Sequence, residues 1–409
     1  MKILILDAYF EPENTSFTHL ENDLIEAFIA AGHELFIVCP TPTRGIDKET
    51  AKKYSAIKHE ELYDGRVHVR RFWAPQEGRN TFKRAFRYFW CNYQLYRTAR
   101  KIKDIDLIFS NSTPPIQGLV ARRLKNKLKK PFVYNLQDIF PDSLVNIGKT
   151  KEGSLIWKTG RKIENKTYAA ADKIIVISED LKKNIMSKGV PADKIEVIYN
   201  WVDTDNVYKV ERKENILFER YSLDRSLFYI AYSGNLGQTQ NLDLLLNVAK
   251  KMRSEMPDLR FILIGDGSDR QRVEERVETE KIDNVIMLPY QDYKDISHVF
   301  SIGDVGLIIS KKGVGNNSVP SKTYGYMAAE RPILASFDKE SQLANLIESV
   351  GCGVVAEADN EEALVTAIKE IRTDNVKGKL GRQYLLDNLS KEKCVTRYID
   401  VFVDLSNKN

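Results

Sequence analysis

Residues 313–332 read Gly-Val-Gly-Asn-Asn-Ser-Val-Pro-Ser-Lys-Thr-Tyr-Gly-Tyr-Met-Ala-Ala-Glu-Arg-Pro and lie between two apolar runs, 305–309 and 332–335. Short apolar runs of this kind are typical of strands buried in a parallel sheet. Pro320 suits the first turn of a helix, where its missing N–H is not needed, and the adjacent Ser321 can act as a cap. The pattern therefore predicts a strand, a loop with two glycines, a helix and a second strand.

This arrangement gathers hydrogen-bond donors and positive charge around one point. The glycines of loop 313–316, Gly315 among them, allow close approach of backbone N–H groups, the helix start adds the positive end of its dipole, and Lys322 adds an ammonium. Such a site suits a diphosphate, with Ser321 and Lys322 as candidate ligands. The same residues also fit an ordinary turn with a surface lysine, and the stretch alone leaves both interpretations open.

The alternation of strands and helices extends along the whole chain. It predicts two successive arrays of strands, 3–6, 34–39, 67–72, 106–110, 131–136, 173–178 and 195–199, then 228–232, 260–264, 284–288, 305–309, 333–335 and 353–355. The helices predicted between them are notably 81–103, 115–128 and 155–170, then 240–253, 269–280, 292–301, 320–329, 341–349 and 361–373. Two such arrays indicate an α/β protein with two doubly wound, Rossmann-like domains that face one another across a cleft.

The domain boundary is expected in the polar segment 206–227, which shows no clear strand and is interpreted as the interdomain connection. We therefore predict an N-terminal domain over 1–205 and a C-terminal domain over 206–389. The last segment, 390–409, carries its apolar residues on roughly one helical face.

The composition is that of a folded globular protein. The chain has 409 residues, of which 43% are hydrophobic and 29% charged, and its net charge is +5. This length predicts two domains. The four cysteines lie far apart without metal-type spacing, the N-terminal apolar run is too short for a signal peptide, and no apolar stretch reaches the length of a membrane span. These features predict a cytoplasmic protein and leave attachment to a membrane surface open.

Short motifs accompany the predicted strands in a fixed order. They are Tyr-Phe-Glu-Pro (9–12), Ala-Gly-His-Glu (31–34), Leu-Gln-Asp-Ile-Phe-Pro-Asp (136–142), Ala-Asp (171–172) before Ile-Ser (177–178), Tyr-Asn-Trp-Val-Asp (199–203), Tyr-Ser-Gly-Asn-Leu-Gly (232–237), Ile-Gly-Asp-Gly (264–267) and Pro-Ser-Lys…Arg-Pro (320–332). With these motifs the chain resembles, over essentially its whole length, the GT-B glycosyltransferases of family 4, and most of all the bacterial transferases that build O-antigen, capsule and colanic-acid polysaccharides. The resemblance implies that the C-terminal domain holds a nucleotide-diphosphate sugar donor and the N-terminal domain holds the acceptor. It also implies that helix 390–409 returns to the N-terminal domain.

The chain departs from the family pattern at the donor. The family usually carries two glutamates that flank seven residues, and Asn317 and Gly325 stand at these positions here. Because the second glutamate binds the donor ribose in the family, that role is either lost or moved. Glu340 is a candidate replacement, and Glu330 is a second one that also fits a surface residue at a helix end. The family's Arg/Lys pair for the diphosphate is missing too, which leaves Lys322 as the best remaining cation.

Glycine turns after two predicted strands are further candidates for donor binding. Gly234, Asn235 and Gly237 follow the first strand of the second array, and Gly265 and Gly267 follow the next one. In both cases a tight turn between strand and helix is the alternative, and for Gly265 and Gly267 a structural role or a contact to the nucleoside is expected. No Asp-x-Asp pair follows a strand, and the resemblance implies neither a metal nor another cofactor.

On the acceptor side, Asp138 ends a strand of the first array and is the candidate to orient the acceptor hydroxyl or accept its proton. Asp142 is the second candidate, and capping of the following turn is the alternative for Asp138. His19 is a candidate acceptor contact. The resemblance implies retention of the anomeric configuration by front-face attack, with the departing phosphate taking the acceptor proton. Lys322 would then stabilise the leaving group, so that no protein nucleophile is needed.

Residues 79–103 combine basic and aromatic side chains and contain no acidic residue. Arg84, Arg87 and Trp90 in this segment are candidate contacts to the acceptor or to an anionic membrane surface, where rings sit at headgroup depth. The alternative is that the rings pack into the core and the charges are solvated. Nucleic acid is a third option, but no recognition motif accompanies the segment, and we expect no nucleic-acid partner.

The sequence thus predicts a metal-independent, retaining glycosyltransferase of the hexosyltransferase type, peripheral on the inner face of the plasma membrane. The expected donor is a UDP-sugar, with an N-acetylated deoxyhexosamine such as N-acetyl-L-fucosamine as the sugar indicated by the resemblance, and the expected acceptor is a polyprenyl-diphosphate-linked sugar. One alternative is a sugar-nucleotide 2-epimerase of the same architecture, which needs more carboxylates and histidines in the cleft. The other is a catalytically inactive nucleotide-sugar-binding protein, which the two missing glutamates favour.

Overall fold

The computed structural model describes residues 1–13, 17–76, 81–146, 148–314, 319–374 and 376–407, apart from the side chains of 81–85 and 146. Gly315, Asn317 and the side chain of Arg84 therefore lie outside the described residues. The chain divides into two compact units. The first consists of Met1–Tyr199 and Glu392–Asn409, and the second of Asn200–Lys391.

The first unit is built on a sheet of apolar, mostly buried strands. They are β1 (Lys2–Leu6), β2 (Glu34–Pro40), β3 (His59–Leu62), β4 (Val67–Phe72), β5 (Leu107–Asn111), β6 (Phe132–Leu136), β7 (Lys173–Val176) and β8 (Ile195–Val197). Their order in the sheet is β3-β4-β2-β1-β5-β6-β7-β8, and only the β3–β4 pair is antiparallel among the described strands. Because β1 lies between β2 and β5, the strand order reverses there, and the loops that follow β1 and β5 meet at the carboxyl edge of the sheet.

Helices cover this sheet on both faces, as expected for a doubly wound fold. They are α1 (Thr18–Ala30), α2 (Lys48–Ser55), α3 (Thr81–Ala99), α4 (Gln117–Leu128), α5 (Asp142–Asn146), α6 (Leu155–Ala170) and α7 (Glu179–Ser187), with a 3₁₀ turn at Ala192–Lys194. Helix α3 packs on α4, and α4 packs on α6. Since each of these three helices joins two parallel strands, each starts at the carboxyl edge and runs back towards the other edge.

The second unit repeats the plan with a sheet of parallel strands. They are β9 (Phe228–Ser233), β10 (Leu259–Ile264), β11 (Val285–Leu288), β12 (Val305–Ile309), β13 (Ile333–Phe337) and β14 (Gly353–Glu357). The order is β11-β10-β9-β12-β13-β14. The chain leaves β9 on one side and returns on the other at β12, so the strand order reverses between these two strands. Ligands of such sheets bind in the crevice that this reversal opens at the carboxyl edge.

The helices of the second unit begin before its first strand. They are α8 (Ile216–Arg220), α9 (Leu242–Glu255), α10 (Arg270–Thr279), α11 (Ile296–Phe300), α12 (Lys322–Ala328), α13 (Gln342–Val350), α14 (Glu361–Arg372) and α15 (Lys377–Asn388), with 3₁₀ turns at Gln238–Gln240 and Tyr293–Asp295.

The prediction that 206–227 is an interdomain connection is wrong. Leu217 and Phe218 of this segment are buried in the second unit. The backbone N–H groups of Tyr208 and Val210 donate to side-chain hydroxyls of residues 297 and 301, at 3.1 and 2.9 Å. The segment therefore packs as part of the second unit.

The last helix, α16 (Lys391–Asn407), packs on the first unit from residue 392 onward. The Tyr398 hydroxyl donates to Asn135 Oδ1 at 3.0 Å, inside the sheet. The Phe402 ring stacks on Phe28 with centroids 4.9 Å apart. Burial of these rings anchors the end of the chain to the first sheet.

Candidate active site

The turn after β9 lies at the reversal point of the second sheet. Gly234 has φ 141°, a conformation that side chains rarely adopt, and its N–H donates to Ile264 O at 2.9 Å. The turn leads through residues 235–240 to Asn241, whose side chain caps α9 by accepting from Leu244 N at 3.4 Å. A glycine turn that opens a helix presents N–H groups and the positive helix end to the crevice, as an anion requires.

A second glycine turn supports the first one. A Cβ atom on Gly265 would collide with Gly234 O, and one on Gly267 would collide with Leu236 O. The two turns are also bonded to each other, since Leu236 N donates to Asp266 O at 2.9 Å. In this structure Gly265 and Gly267 therefore shape the site by letting two backbones pack together.

Lys322 brings its ammonium to the Gly234 turn. A Cβ atom built on Gly234 would lie 2.9 Å from Lys322 Nζ, and Nζ lies 3.7 Å from the centroid of the Tyr232 ring. Within the described part of the chain this ammonium has no hydrogen bond or ion pair, and burial lowers its pKa to about 7. A lysine ammonium without an ion pair, placed beside a glycine turn, can bind an anion. Tyr232 was not among the predicted site residues; its only signal in the sequence is its place before the Ser-Gly-Asn-Leu-Gly motif.

A tyrosine holds the helix of Lys322 against the sheet. The Tyr326 hydroxyl donates to Ala231 O at 2.7 Å and accepts from Ser233 N at 2.9 Å, so that α12 is fixed to the end of β9. The prediction that Ser321 caps this helix is wrong, because its side chain is exposed and accepts no cap hydrogen bond. Helix α12 has 7 residues and starts at Lys322 rather than at residue 320, so the ammonium, more than the helix dipole, supplies the positive charge.

Two backbone N–H groups at the start of the loop after β12 donate hydrogen bonds to neighbouring segments of the second unit. Lys311 N donates to Thr239 O at 2.8 Å, and Gly313 N donates to Asp338 Oδ2 at 2.8 Å. The exposed side chain of Lys311 thus starts next to the turn 238–240 and provides a second cation at this edge. Sequence reasoning missed it, although a lysine directly after a buried strand was a usable signal.

An aromatic ring packs directly against Gly325. A Cβ atom on Gly325 would collide with the ring of Phe300, which is itself 5.2 Å from the Tyr326 ring. A glutamate side chain therefore has no room at this position in the present packing.

The two candidate replacements for that glutamate differ in their surroundings. Glu340 is exposed after β13, at the carboxyl edge of the sheet. Glu330 has φ 54° and forms an ion pair with Lys209 at 3.4 Å. Because α12 runs from the carboxyl edge back towards the opposite one and Glu330 follows its end, the structure places Glu330 away from the crevice, as a helix-end residue.

In the first unit, two buried carboxylates lie at the end of β1. Asp7 is 5% exposed and accepts from Tyr9 N at 3.3 Å through Oδ1, while its Oδ2 has no hydrogen-bond partner among the residues that the structure describes. Burial raises the pKa of this carboxyl to about 7. Glu13 is buried and accepts from the N–H groups of Thr43 and Arg44 at 2.6 and 2.8 Å. Sequence reasoning missed Asp7, although a carboxylate at the end of the first strand was a visible signal.

The prediction that Arg87 faces a membrane is wrong. Its side chain is buried and donates to Pro75 O. Burial raises the pKa of Glu13, and the positive charge of Arg87 partly offsets this rise. Arg87 thus neutralises charge inside the first unit, and its place on α3 is the buried stripe that also holds Cys91 and Leu95.

The three predicted acceptor residues differ in their surroundings. Asp138 is exposed after β6, and the described residues offer it no hydrogen bond, which argues against the capping role. Asp142 accepts from Lys188 Nζ at 2.7 Å and belongs to a network with Glu164. His19 is exposed in the first turn of α1. Of the three, Asp138 and His19 are open to a ligand, whereas Asp142 is already occupied.

Trp90 lies on the outer side of α3, where its Nε1 donates to Trp73 O at 2.9 Å. Several exposed rings surround it. Over the described ranges, the structure contains no helix that is both long and apolar enough to pass through a bilayer.

Two Rossmann-like units, one with a glycine turn and an unpaired lysine at its reversal point, define a two-domain enzyme of the GT-B fold. Two family models match the chain: one described as Glycosyltransferase Family 4 over residues 22–206, and one described as Glycosyl transferases group 1 over residues 214–384. The chain belongs to the group 1 glycosyltransferases, with a family 4 N-terminal domain, and is a glycosyltransferase.

Similar proteins share this length and architecture. A putative colanic acid biosynthesis glycosyl transferase, WcaI of Escherichia coli K12, is 24% identical over 98% of this chain and 99% of its own. A probable glycosyltransferase, WbjE of Pseudomonas aeruginosa, is 25% identical over 65% of this chain and 66% of its own. Among solved structures, Anabaena Alr3699/HepE in complex with UDP matches with a TM-score of 0.71 and 16% identity, over 99% of this chain and 100% of that one. This last similarity supports the fold.

Proposed function

We propose that this chain transfers a sugar from a UDP-sugar to a lipid-diphosphate-linked acceptor in the assembly of a bacterial surface polysaccharide. The observation that carries the proposal is the unpaired ammonium of Lys322 beside the Gly234 turn. A diphosphate placed there would receive backbone N–H groups and one positive charge. The solved complex of Anabaena Alr3699/HepE with UDP and the name of WcaI support the choice of donor and pathway.

The second unit is the proposed donor domain, and the first unit is the proposed acceptor domain. In the donor domain, Asn235, Gly237 and Ser321 would line the phosphates and sugar, and Glu340 would reach the ribose. In the acceptor domain, Asp138 would orient the acceptor hydroxyl. An N-acetylated deoxyhexosamine is the proposed sugar, and a polyprenyl diphosphate the proposed carrier.

The proposed reaction retains the anomeric configuration. The acceptor hydroxyl oxygen attacks C1 of the donor sugar from the face of the departing diphosphate, the bond between C1 and the phosphate oxygen breaks, and the β-phosphate takes the hydroxyl proton. Negative charge grows on the β-phosphate during this step, and the Lys322 ammonium stabilises it. Neither a metal nor a protein nucleophile takes part in this scheme.

The proposed place of action is the inner face of the plasma membrane. The aromatic and basic segment 79–103 would contact its anionic surface, and Trp90 would sit at headgroup depth. Lipid-linked acceptors are confined to the bilayer, so a transferase that uses them gains from being held there.

The test is release of UDP from a panel of UDP-sugars, in the presence of EDTA, with and without a polyprenyl-diphosphate-linked sugar. We expect release that depends on the acceptor, survives chelation and is lost in Lys322→Ala. The matched control is Lys251→Ala, because Lys251 is an exposed lysine on α9 whose one ion pair with a described residue is to Glu362 at 3.7 Å. Its activity should equal that of the wild type.

Other outcomes would replace the proposal. Conversion of the donor sugar without an acceptor would favour a sugar-nucleotide 2-epimerase. Binding of UDP with no turnover across the panel would favour a nucleotide-sugar-binding protein. NMR of the product's anomeric proton would decide between retention and inversion.

A further inference from the structure

Helix α3 is apolar on two opposite faces. One face is buried and carries Cys91, Leu95 and Ala99. The other face is aromatic and open to solvent, with Phe86 60%, Phe89 65% and Tyr93 58% exposed. A helix that only covers a sheet needs one apolar stripe and keeps polar residues on the other side. The second stripe therefore has a use other than packing within the first unit.

The exposed rings of Trp73, Phe86 and Tyr93 meet around the half-buried ring of Trp90, and Phe89 is exposed on the same side of the helix. These five residues are here called the aromatic cluster. The Trp90 ring lies 5.9 Å from the Trp73 ring, 6.5 Å from Phe86 and 6.4 Å from Tyr93, measured between centroids. Trp73 directly follows β4 and is 62% exposed. Since β4 ends at the carboxyl edge of the sheet, the contact between Trp73 and Trp90 fixes the cluster at that edge.

A second exposed apolar group lies at the same edge. Leu155 and Ile156 open α6 and are 82% and 58% exposed. Helix α4 packs on both α3 and α6, so the three helices lie side by side on one face of the sheet. With about 10 Å between neighbouring helix axes, the two apolar groups stand roughly 20 Å apart.

The charges around these groups favour an anionic partner. Residues 149–166 contain six basic and two acidic side chains, and one of the acids, Glu164, is buried and paired with Arg161. Lys149, Lys151 and Lys158 are exposed, and none of them has an ion pair with a described residue. Exposed rings, aliphatic side chains and unpaired lysines on one edge match the surface of an anionic bilayer, where rings enter the headgroup layer and lysines attract lipid phosphates.

We propose that the carboxyl edge of the first unit docks on an anionic membrane through two points, the aromatic cluster and the pair Leu155–Ile156. This inference rests on the proposed lipid-linked acceptor and adds to it the second contact and the orientation. The edge that meets the bilayer is the one from which the loops of Asp7 and Asp138 project. An acceptor sugar on a lipid diphosphate then reaches these loops without leaving the membrane surface. The basic side chains after residue 96 lie at the far end of α3, so this inference narrows the proposed contact of segment 79–103 to its first part.

The test measures sedimentation of the full chain with vesicles of equal parts phosphatidylglycerol and phosphatidylcholine. Phe86→Ser/Phe89→Ser and Leu155→Ser/Ile156→Ser should each lower the vesicle partition coefficient by about tenfold or more, because each removes two inserting side chains. The matched control is Val376→Ser/Leu380→Ser, which removes two exposed apolar side chains, 52% and 44% exposed, from the second unit. It should bind vesicles like the wild type.

Two further measurements separate this inference from the proposed function. All variants should keep the UDP affinity of the wild type. Phe86→Ser/Phe89→Ser and Leu155→Ser/Ile156→Ser, the two docking variants, should remain active on a short-chain, water-soluble acceptor and lose activity on an acceptor embedded in vesicles. If either docking variant sedimented with vesicles as the wild type does, the two-point docking would be overturned. It would also be overturned if the wild type were a dimer in solution and the docking variants were monomers, because the edge would then join two copies of the chain.

Discussion

Binding of UDP should weaken steeply above neutral pH because the ammonium of Lys322 has to be charged when the diphosphate arrives. Burial lowers the pKa of this group to about 7 in the free protein. A bound diphosphate beside it favours the charged form and raises its pKa again. Binding therefore takes up a proton at neutral and higher pH.

The size of the effect follows from the charged fraction. At a pKa of about 7, half of the ammonium is charged at pH 7 and roughly one hundredth at pH 9. If the bound group stays charged over this range, UDP affinity should fall by about fiftyfold, or about 2.3 kcal/mol. UDP itself changes little in this window, because its terminal phosphate ionises near pH 6.

Isothermal titration calorimetry of UDP from pH 7 to 9 measures this dependence, and buffers of different ionisation enthalpy report the proton taken up. Lys322→Met should bind UDP weakly at every pH, whereas Lys322→Arg should bind with a nearly flat profile because its guanidinium stays charged. Lys251→Met should follow the wild type. A flat wild-type profile, or a Lys322→Met variant that retains full affinity at pH 7, would show that the ammonium does not hold the diphosphate.

Three substitutions test the packing around the sites by urea denaturation. Glu330→Gly should stabilise the protein by about 1 kcal/mol, since φ 54° suits glycine and the lost ion pair with Lys209 is partly exposed; destabilisation would contradict the strain. Gly325→Glu should lower the free energy of unfolding by more than about 2 kcal/mol, because the new side chain meets Phe300. Adding Phe300→Ala should recover part of this loss. If Gly325→Glu alone left the stability unchanged, the space beside the helix would be larger than the structure indicates. Asp7→Asn should stabilise the protein at pH 8 but not at pH 3.5. The buried carboxyl's pKa is raised from 3.8 to about 7, so the wild type loses up to about 4 kcal/mol as pH rises between these values; equal stability of both proteins at pH 8 would argue against this.

The strands were predictable because a parallel sheet buries them on both faces and each therefore appears as a short apolar run. The antiparallel edge strand β3 reads His-Glu-Glu-Leu, with no apolar run, so the same signal is missing there. The segment 206–227 misled for a related reason. Its buried residues Leu217 and Phe218 belong to an apolar group of three residues, 216–218, which is too short to predict a strand or a helix, so only the folded unit shows that they are core.

Candidate residues of the site could be predicted where a local sequence pattern places them, and could not where the site depends on contacts between residues far apart in the chain. Gly234 and Lys322 were predicted as candidates because glycine turns follow strand ends and a lysine opens the helix after β12, and the structure places the two side by side. That the Tyr232 ring lies 3.7 Å under the ammonium depends on how β9 and α12 pack, which no spacing encodes. Ser321 illustrates the converse: its residue type suits a cap, but its backbone is already helical, at φ −56° and ψ −29°, so it cannot hold the extended geometry of a capping residue.

Gly325 shows why a missing family residue is not by itself evidence of a missing function. The sequence reveals only that a glutamate is absent, and this observation favoured an inactive binding protein. In the structure, the Phe300 ring occupies the place beside Gly325, so a glutamate side chain does not fit there unless this ring moves. The proposed recognition of the phosphates does not depend on that position, because the ammonium of Lys322 reaches the Gly234 turn from one helical turn earlier. The absence of a carboxylate there also means one negative charge fewer in the neighbourhood of the proposed diphosphate, which favours the action of the Lys322 ammonium on the leaving group.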